Sequence, residues 1–257
     1  MKKYLILLLG ILVLSSCAKV RVLTVKPYSG AYSGKTMGYF PAYFGPIKQP
    51  VLPLIDAAAF NAKTNEIADQ IMDMQKQKID TIREQTRRTI EENYGFHIVT
   101  SRELENDTAF ITLREKYNNL RALLVDDKNF PIITMASGDI NIFNFQDGNV
   151  TEYLSNPQNS KYSVKQICNM LGLDGLIITY SRFNVIGVTG FGISGNIRLE
   201  TYLYVYNQEG DLIAEGVVAS KPEIIGGKYV EEYSNRLYDY PMLIKLLVLK
   251  LANEVTQ

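Results

Sequence analysis

The chain has 257 residues, of which 46% are hydrophobic, and its 27 basic residues balance 27 acidic ones. This length fits one large domain or one domain with an appended segment, and the hydrophobic content argues against wholesale disorder. The neutral balance gives no electrostatic reason to expect a nucleic-acid partner, because nucleic-acid-binding domains usually need a basic face.

The first predicted element is a leader peptide. Lys2 and Lys3 form a positively charged start, and residues 4–14 form an apolar core of eleven residues. A helix that spans a bilayer needs about 20 apolar residues, so this core is too short to span. The core ends in Leu14-Ser15-Ser16-Cys17, which resembles the lipobox of bacterial lipoproteins.

The lipobox resemblance implies that Cys17 is a lipidation site. In that family the thiol receives a diacylglycerol, the leader is cleaved before the cysteine, and the new amine is acylated. Residues 1–16 are then a removed signal peptide, and the mature chain keeps 25 basic and 27 acidic residues. The alternative is an ordinary secretory leader in which Cys17 is incidental.

The residues after Cys17 bear on location. Ala18 is not the acidic residue that commonly marks inner-membrane retention in lipoproteins, and residues 20–25 lack an acidic run. The resemblance therefore implies an outer-membrane protein, anchored by its acyl chains and facing the periplasm. No second membrane segment is expected, since Lys245 and Lys250 interrupt the apolar residues 243–251.

The segment after the anchor changes character twice. Residues 20–26 alternate apolar and polar side chains and predict a short strand. Residues 27–53 then hold five of the nine prolines and six aromatic rings, which argues against a long helix or a central strand. This aromatic segment is either a functional loop or a belt packed on the domain. We therefore divide the mature chain into an anchor region, residues 17–54, and a single α/β domain, residues 55–257.

The next predicted elements are helical. Residues 64–94 form a long helix with apolar residues on one side at 3.6 residues per turn. Arg83, Arg87 and Arg88 could form an anion site, but i,i+4 pairing with acidic residues favours a solvated, ion-paired face. Residues 96–100 predict a strand, and residues 108–125 predict a second long helix.

The last hundred residues give the clearest pattern. A short helix is predicted around residues 164–171, and a final helix begins near Pro241. Three strands lie between these helices, with a turn at residues 207–210 between the second and the third: residues 176–186, 197–206 and 211–220. This order predicts an α/β sandwich, in which a central mixed sheet ends in an antiparallel meander with helices on one or both faces.

Three motifs suggest chemistry, and each fails in context. Residues 29–36 nearly match a phosphate-binding loop, but Gly38 and Pro41 break the helix that such a loop must open. Residues 190–195 fit G-x-G-x-x-G, but a strand follows, so we interpret them as a hairpin loop. His97 is the only histidine and has neither a nucleophile elbow nor partner zinc ligands, which favours a structural role.

Cys168 is predicted to be a buried apolar residue, because it shares one side of the short helix with Val164, Ile167 and Leu171. Lipidation of Cys17 would leave it without a disulfide partner. We therefore expect no catalytic residue, cofactor or metal ion from the sequence.

One strand suggests a binding surface. In residues 197–206 one face is apolar, whereas the other carries Tyr202, Tyr204 and Tyr206, here called the tyrosine ladder. Tyrosine is favoured at interfaces, so the ladder is a candidate partner-binding surface. The alternative is that it packs against the aromatic segment or a helix. If the ladder is exposed, Tyr204→Ala should weaken association and leave the melting temperature nearly unchanged.

The C-terminal half resembles a known group of proteins. The run Leu171-Gly172-Leu173-Asp174-Gly175-Leu176-Ile177-Ile178 precedes a meander containing residues 210–216 and a closing helix. This layout is similar to the α/β domain of the curli-secretion lipoprotein, the peptidoglycan-synthase activators and the N-terminal domain of the Tol-system translocation protein. The resemblance, over about residues 160–256, implies a non-enzymatic envelope lipoprotein that binds a protein partner or forms a homo-oligomer. The alternative function is an envelope hydrolase whose site the sequence does not locate.

Overall fold

The computed structural model describes the following parts of the chain: residues 18–25, 34–40, 42–44, 57–124, 134–135, 138–142, 150–189, 194–225 and 229–255. The predicted leader, Cys17 and most of the aromatic segment lie outside these residues. Within them, the chain forms nine strands and six helices.

The strands and helices are numbered in chain order. The strands are β1 (Ala18–Val25), β2 (Thr36–Tyr39), β3 (Ala42–Phe44), β4 (His97–Thr100), β5 (Thr134–Met135), β6 (Gly175–Thr189), β7 (Ser194–Asn207), β8 (Leu212–Ser220) and β9 (Glu223–Ile225). The helices are α1 (Ala57–Tyr94), α2 (Thr108–Leu124), α3 (Val150–Ser155), α4 (Pro157–Leu171), α5 (Tyr229–Leu237) and α6 (Tyr240–Val255).

The strands form one mixed sheet in the order β1-β8-β7-β6-β2-β4. The strands from β6 to β8 and the edge strand β1 pair antiparallel, whereas β2 lies parallel between β6 and β4. β3 pairs with β6 and β5, and β9 pairs with the first residues of β7. The predicted α/β fold, with a mixed sheet that ends in an antiparallel meander, is confirmed.

Helices cover both faces of the sheet. One apolar core joins α1, α5 and α6 to one face, and a second core joins α2, α3 and α4 to the other. Because side chains alternate along a strand, β7 contributes to both cores, with Leu203 and Val205 in the first and Tyr204 and Tyr206 in the second. The sheet is therefore the middle layer of three.

Local sequence signals explain how α4 begins and ends. Asn156 precedes the helix and its side chain accepts a hydrogen bond from the Gln158 amide, which satisfies one free donor of the first turn. Pro157 occupies the first helical position, where its missing amide costs no hydrogen bond. Gly172 ends the helix in the left-handed conformation with φ of 64°.

The aromatic segment contributes two strands to this sheet, and the expectation that it holds no central strand is wrong. β2 and β3 are short and contain no proline, since Pro41 falls between them. Tyr39, Tyr43 and Phe44 are fully buried in the two cores. Because β1, β2 and β3 belong to the same sheet as the later strands, the expected boundary at residue 54 does not divide the sheet.

Candidate functional site

The tyrosine ladder lies on one face of β7, as its spacing predicts, but it is not exposed. Tyr202, Tyr204 and Tyr206 have 8%, 0% and 0% of their surface accessible. They pack in the second core, where the Tyr206 hydroxyl donates to the Leu154 carbonyl at 2.5 Å. The alternative interpretation, packing against a helix, agrees with the structure. The ladder therefore does not form the open surface that the partner-binding interpretation requires.

Tyr202, at one end of the ladder, belongs to a partly exposed group of polar side chains around the Glu200 carboxylate. We call this group the Glu200 cluster; it consists of Arg182, Asn184, Arg198, Glu200 and Tyr202. The Arg182 Nε donates to Glu200 Oε2 at 2.9 Å, and the Arg198 Nε donates to Oε1 at 2.7 Å. The Asn184 amide and the Tyr202 hydroxyl donate to the same carboxylate at 3.0 and 3.2 Å. The carboxylate is buried, whereas the side chains of Arg182 and Arg198 are 27% and 33% exposed.

The surroundings of the Glu200 cluster keep Glu200 ionised and Tyr202 neutral near pH 7. Burial acts to raise the pKa of Glu200, but the Asn184 amide and the two guanidinium groups outweigh it and hold that pKa below its ordinary value. Burial and the neighbouring carboxylate raise the pKa of Tyr202 to about 12. Two guanidinium groups around one carboxylate leave a net positive charge at a half-exposed site. Such a site can hold an anionic group, but neither Glu200 nor Tyr202 is poised to transfer a proton near pH 7.

The three arginines of α1 divide into two kinds. Arg87 pairs with Glu84 at 2.8 Å and with Glu91 at 2.7 Å, and Arg88 pairs with Glu84 at 2.7 Å. These pairs confirm the predicted ion-paired face. The prediction of a solvated side chain is wrong for Arg83. This side chain is mostly buried, and it binds the fully buried Asp139 at 2.8 Å.

The Arg83–Asp139 pair fixes several elements together. Ser101, at the end of β4, donates to Asp139 Oδ1 at 2.7 Å, and the Ala42 amide of β3 donates to Oδ2 at 3.3 Å. Burial raises the pKa of Asp139 to about 7, although Arg83 and Ser101 oppose the shift. No sequence pattern predicts this contact, because Asp139 lies in a stretch without periodicity.

The sequence analysis also did not predict two further sets of buried hydrogen bonds, one on each face of the sheet. Tyr39 and Thr179 hydrogen-bond at 2.8 Å, next to a second hydroxyl pair in which Thr86 of α1 meets Tyr240 of α6 at 3.0 Å. On the other face, the Ser155 hydroxyl of α3 donates to the buried carboxylate of Glu215 on β8. Burial raises the pKa of Glu215. These contacts join helices to the sheet across distant parts of the chain.

The residues considered for chemistry lie apart. His97 is exposed on β4. Cys168 is fully buried, which confirms the predicted burial, and burial, together with the Asp174 carboxylate, raises its pKa to about 12. Among the described residues, no group of three or more His, Cys, Asp or Glu side chains could hold a metal ion.

The described part of the phosphate-loop motif is structural. Residues 29–33 lie outside the described residues, but Thr36 begins strand β2 and not a helix, as predicted. Asp174 accepts from the Thr36 amide at 2.8 Å and pairs with the Lys35 ammonium at 3.3 Å. These bonds tie β2 to the start of β6.

The G-x-G-x-x-G motif is residues 190–195, of which residues 190–193 lie outside the described residues. The strands on either side of it pair antiparallel, as expected for a hairpin.

Of the helices in the described ranges, none has the length and apolar character needed to cross a membrane. No family model and no curated protein matches the chain.

Similar solved structures include a PelC dodecamer from Paraburkholderia phytofirmans, with a TM-score of 0.31 and 8% identity, over 91% of this chain and 97% of that chain. A point variant of the same dodecamer has a TM-score of 0.34 and 7% identity, over 91% and 98%. The Evf virulence factor has a TM-score of 0.29 and 10% identity, over 90% and 85%. At these scores the likeness carries no conclusion about function.

Proposed function

We propose that this protein is a lipid-anchored component of the bacterial cell envelope, held in the outer membrane by acyl chains on Cys17 and facing the periplasm. There it acts as a non-enzymatic binding or assembly factor. The observation that carries the proposal is the run Leu14-Ser15-Ser16-Cys17 after a positively charged start and an apolar core too short to span a bilayer.

The position of β1 is compatible with an anchored domain. Ala18 follows Cys17 directly and already pairs with Ser220 as the first residue of the edge strand. A cysteine at this point is attached to the folded domain without an intervening linker. Acyl chains there would hold the domain at the membrane surface, since two or more chains give stable attachment.

The polar contacts support binding more than catalysis. Cys168 is buried with a raised pKa, and Asp139 is enclosed by Arg83, Ser101 and Ala42. The half-exposed Glu200 cluster instead presents fixed positive charge, which suits an acidic group on a protein partner or on a second copy of this chain.

An envelope hydrolase is the alternative. The Ser155–Glu215 contact is the geometry most relevant to it, because a hydroxyl beside a carboxylate with a raised pKa is one way to activate a nucleophile. Only 3% of Glu215 is accessible, so a substrate would have to displace α3 to reach it. A Ser155→Ala variant that loses a hydrolase activity of the wild-type protein while keeping its melting temperature would favour this alternative.

The anchoring proposal is tested with Cys17→Ser in growing cells. The wild-type protein should incorporate a labelled fatty acid and fractionate with outer membranes, whereas the variant should do neither. Undiminished labelling of the variant would contradict the proposal.

The binding proposal is tested by cross-linking in intact cells with Arg198→Ala. This variant should lower the yield of the cross-linked product, because it removes one of the two partly exposed cations of the Glu200 cluster. Arg88→Ala is the matched control, since Arg88 is an exposed, ion-paired arginine on α1. Equal yields from the two variants would contradict a role for the Glu200 cluster.

A further inference from the structure

A polar groove lies between α1 and α5, on the face of the sheet opposite the Glu200 cluster. α5 buries Tyr233 and Leu237 in the first core, which leaves the half-buried Ser234 and the exposed Asn235 outside it. The groove has a volume of about 640 Å³, which is typical of ligand sites, and it is mostly open to solvent. Its polar lining residues come from α1, α5 and the turn that follows α5: Gln70, Asp73, Gln77, Ser234, Asn235 and Tyr238.

Helix geometry brings the α1 residues of the groove together. Gln70, Asp73 and Gln77 are three and four residues apart, so they lie on one side of the helix over a length of about 10 Å. All three are exposed. Met74, which also lines the groove, is only 8% exposed and belongs to the first core. This wall of the groove is therefore a row of polar side chains above one apolar residue.

Tyr238 borders the groove on the other side and is 73% exposed. Its amide donates to the Asn235 carbonyl at 3.2 Å, and the next amide, that of Asp239, donates to the Arg236 carbonyl at 3.1 Å. The Arg236 guanidinium also pairs with Asp239 at 3.0 Å and with Glu223 of β9 at 2.7 Å. The exposed tyrosine is therefore carried by a turn whose position is set before any ligand binds.

The charge and polarity of the lining argue against anions and lipids. None of the described lining residues is basic, and Asp73 adds a carboxylate, so a phosphate group would meet no cation. Arg236 is engaged by Asp239 and Glu223, and Lys78 is exposed on α1 but does not line the groove. A single apolar lining residue also offers too little apolar surface for an acyl chain or for the apolar face of a helix.

An extended peptide has no strand edge to pair with in this groove. Strand addition needs free backbone groups at the edge of a sheet, whereas α1 and α5 satisfy their backbone groups within each helix. The remaining class is a neutral ligand that is rich in hydroxyl groups. The amides of Gln70, Gln77 and Asn235 each carry donors and an acceptor, and an exposed tyrosine ring provides an apolar body with a polar tip. Sugar rings present the complementary groups, hydroxyls around their rim and C–H bonds on their faces.

We propose that the groove between α1 and α5 binds a chain of neutral hexose or N-acetylhexosamine units. Tyr238 stacks on the C–H face of one sugar ring, and the amides and Asp73 bond to hydroxyl or acetamido groups of adjacent rings. Because the groove is open, it accommodates an internal segment of the chain. This site goes beyond the proposed function, since it depends neither on lipid at Cys17 nor on the Glu200 cluster.

The proposal is tested by titration calorimetry on the full-length protein, in a detergent without a sugar headgroup. The probes are tetra-N-acetylchitotetraose, cellotetraose and maltotetraose, of which at least one should bind. Tyr238→Ala should weaken this binding about tenfold or more, because the stacked ring is lost, whereas Tyr238→Phe should keep most of it. Gln77→Ala should weaken it about fivefold through the loss of one hydrogen bond.

Tyr162→Ala is the matched control. Tyr162 is 74% exposed, nearly the same as Tyr238, but it lies on α4, which covers the other face of the sheet. This variant should bind the probes like the wild type. Circular dichroism checks that each variant is folded, and the two exposed positions Tyr238 and Gln77 keep the test valid if one variant misfolds.

Three results would overturn the proposal. If none of the three tetrasaccharides binds at millimolar concentration, the groove is not a saccharide site. If Tyr238→Ala and Gln77→Ala bind as the wild type does, the sugar binds elsewhere on the protein. If Tyr162→Ala weakens binding as much as Tyr238→Ala, the effect is not specific to the groove. The intact mass of the same samples reports lipid on Cys17 separately, so none of these results decides the anchoring proposal.

Discussion

Truncation of Tyr204 should strongly destabilise the fold. Its ring is fully buried on β7 and stacks on that of Tyr202 with centroids 6.4 Å apart. Replacing a buried aromatic side chain by alanine typically costs about 3–5 kcal/mol, because contacts are lost and a cavity remains. Against a total stability of about 5–15 kcal/mol, this loss is large. The expectation based on sequence, an unchanged melting temperature, is therefore reversed.

Thermal unfolding followed by circular dichroism measures this effect. For a domain of this size each kcal/mol corresponds to about 2–4 °C, so Tyr204→Ala should lower the melting temperature by about 6–20 °C. Tyr162→Ala is the control, because that ring is on the surface and its loss should change stability by less than about 0.5 kcal/mol. A Tyr204→Ala protein that melts with the wild type but associates less would refute the buried placement of the ladder.

Three further predictions follow from buried groups. Asp139→Asn should flatten the pH dependence of stability. Burial raises the pKa of Asp139 to about 7, so this carboxyl favours the fold most below about pH 4, and its contribution is lost as the pH rises through 7; urea unfolding at several pH values measures this loss. Gly210→Ala should cost about 2 kcal/mol or more, because φ is +78° and the new Cβ would lie 2.3 Å from the Lys161 carbonyl oxygen. Gly172→Ala, with φ of +64° and open space, should cost less in the same melts. Cys168 should resist a thiol reagent at pH 8 in the folded protein and react in urea, since burial raises its pKa to about 12.

Elements with a strong period were predictable from the sequence. The expected helix over residues 108–125 is α2 (Thr108–Leu124), and the expected strand over residues 197–206 is β7 (Ser194–Asn207). In both, local periodicity and burial agree, so the local pattern is sufficient. Burial of Cys168 followed from the same kind of pattern.

The missed features depend on contacts between distant residues. β2 is only four residues long and is stabilised by parallel pairing with β4 and β6, which a local pattern does not reveal. Tyr204 faces α3 and α4, and the sequence of β7 alone does not show which faces of the sheet are covered. Arg83 has the spacing of its exposed neighbours, but Asp139, 56 residues later, draws it into the interior.

The central claim, that acyl chains on Cys17 anchor the protein, is tested most directly by the intact mass of the protein purified from membranes. The account predicts a chain that begins at Cys17 and carries the added mass of a diacylglycerol and an N-linked acyl group. In the Cys17→Ser variant this added mass should be absent. A mature chain that carries no lipid, or that begins at any residue other than Cys17, would contradict the claim.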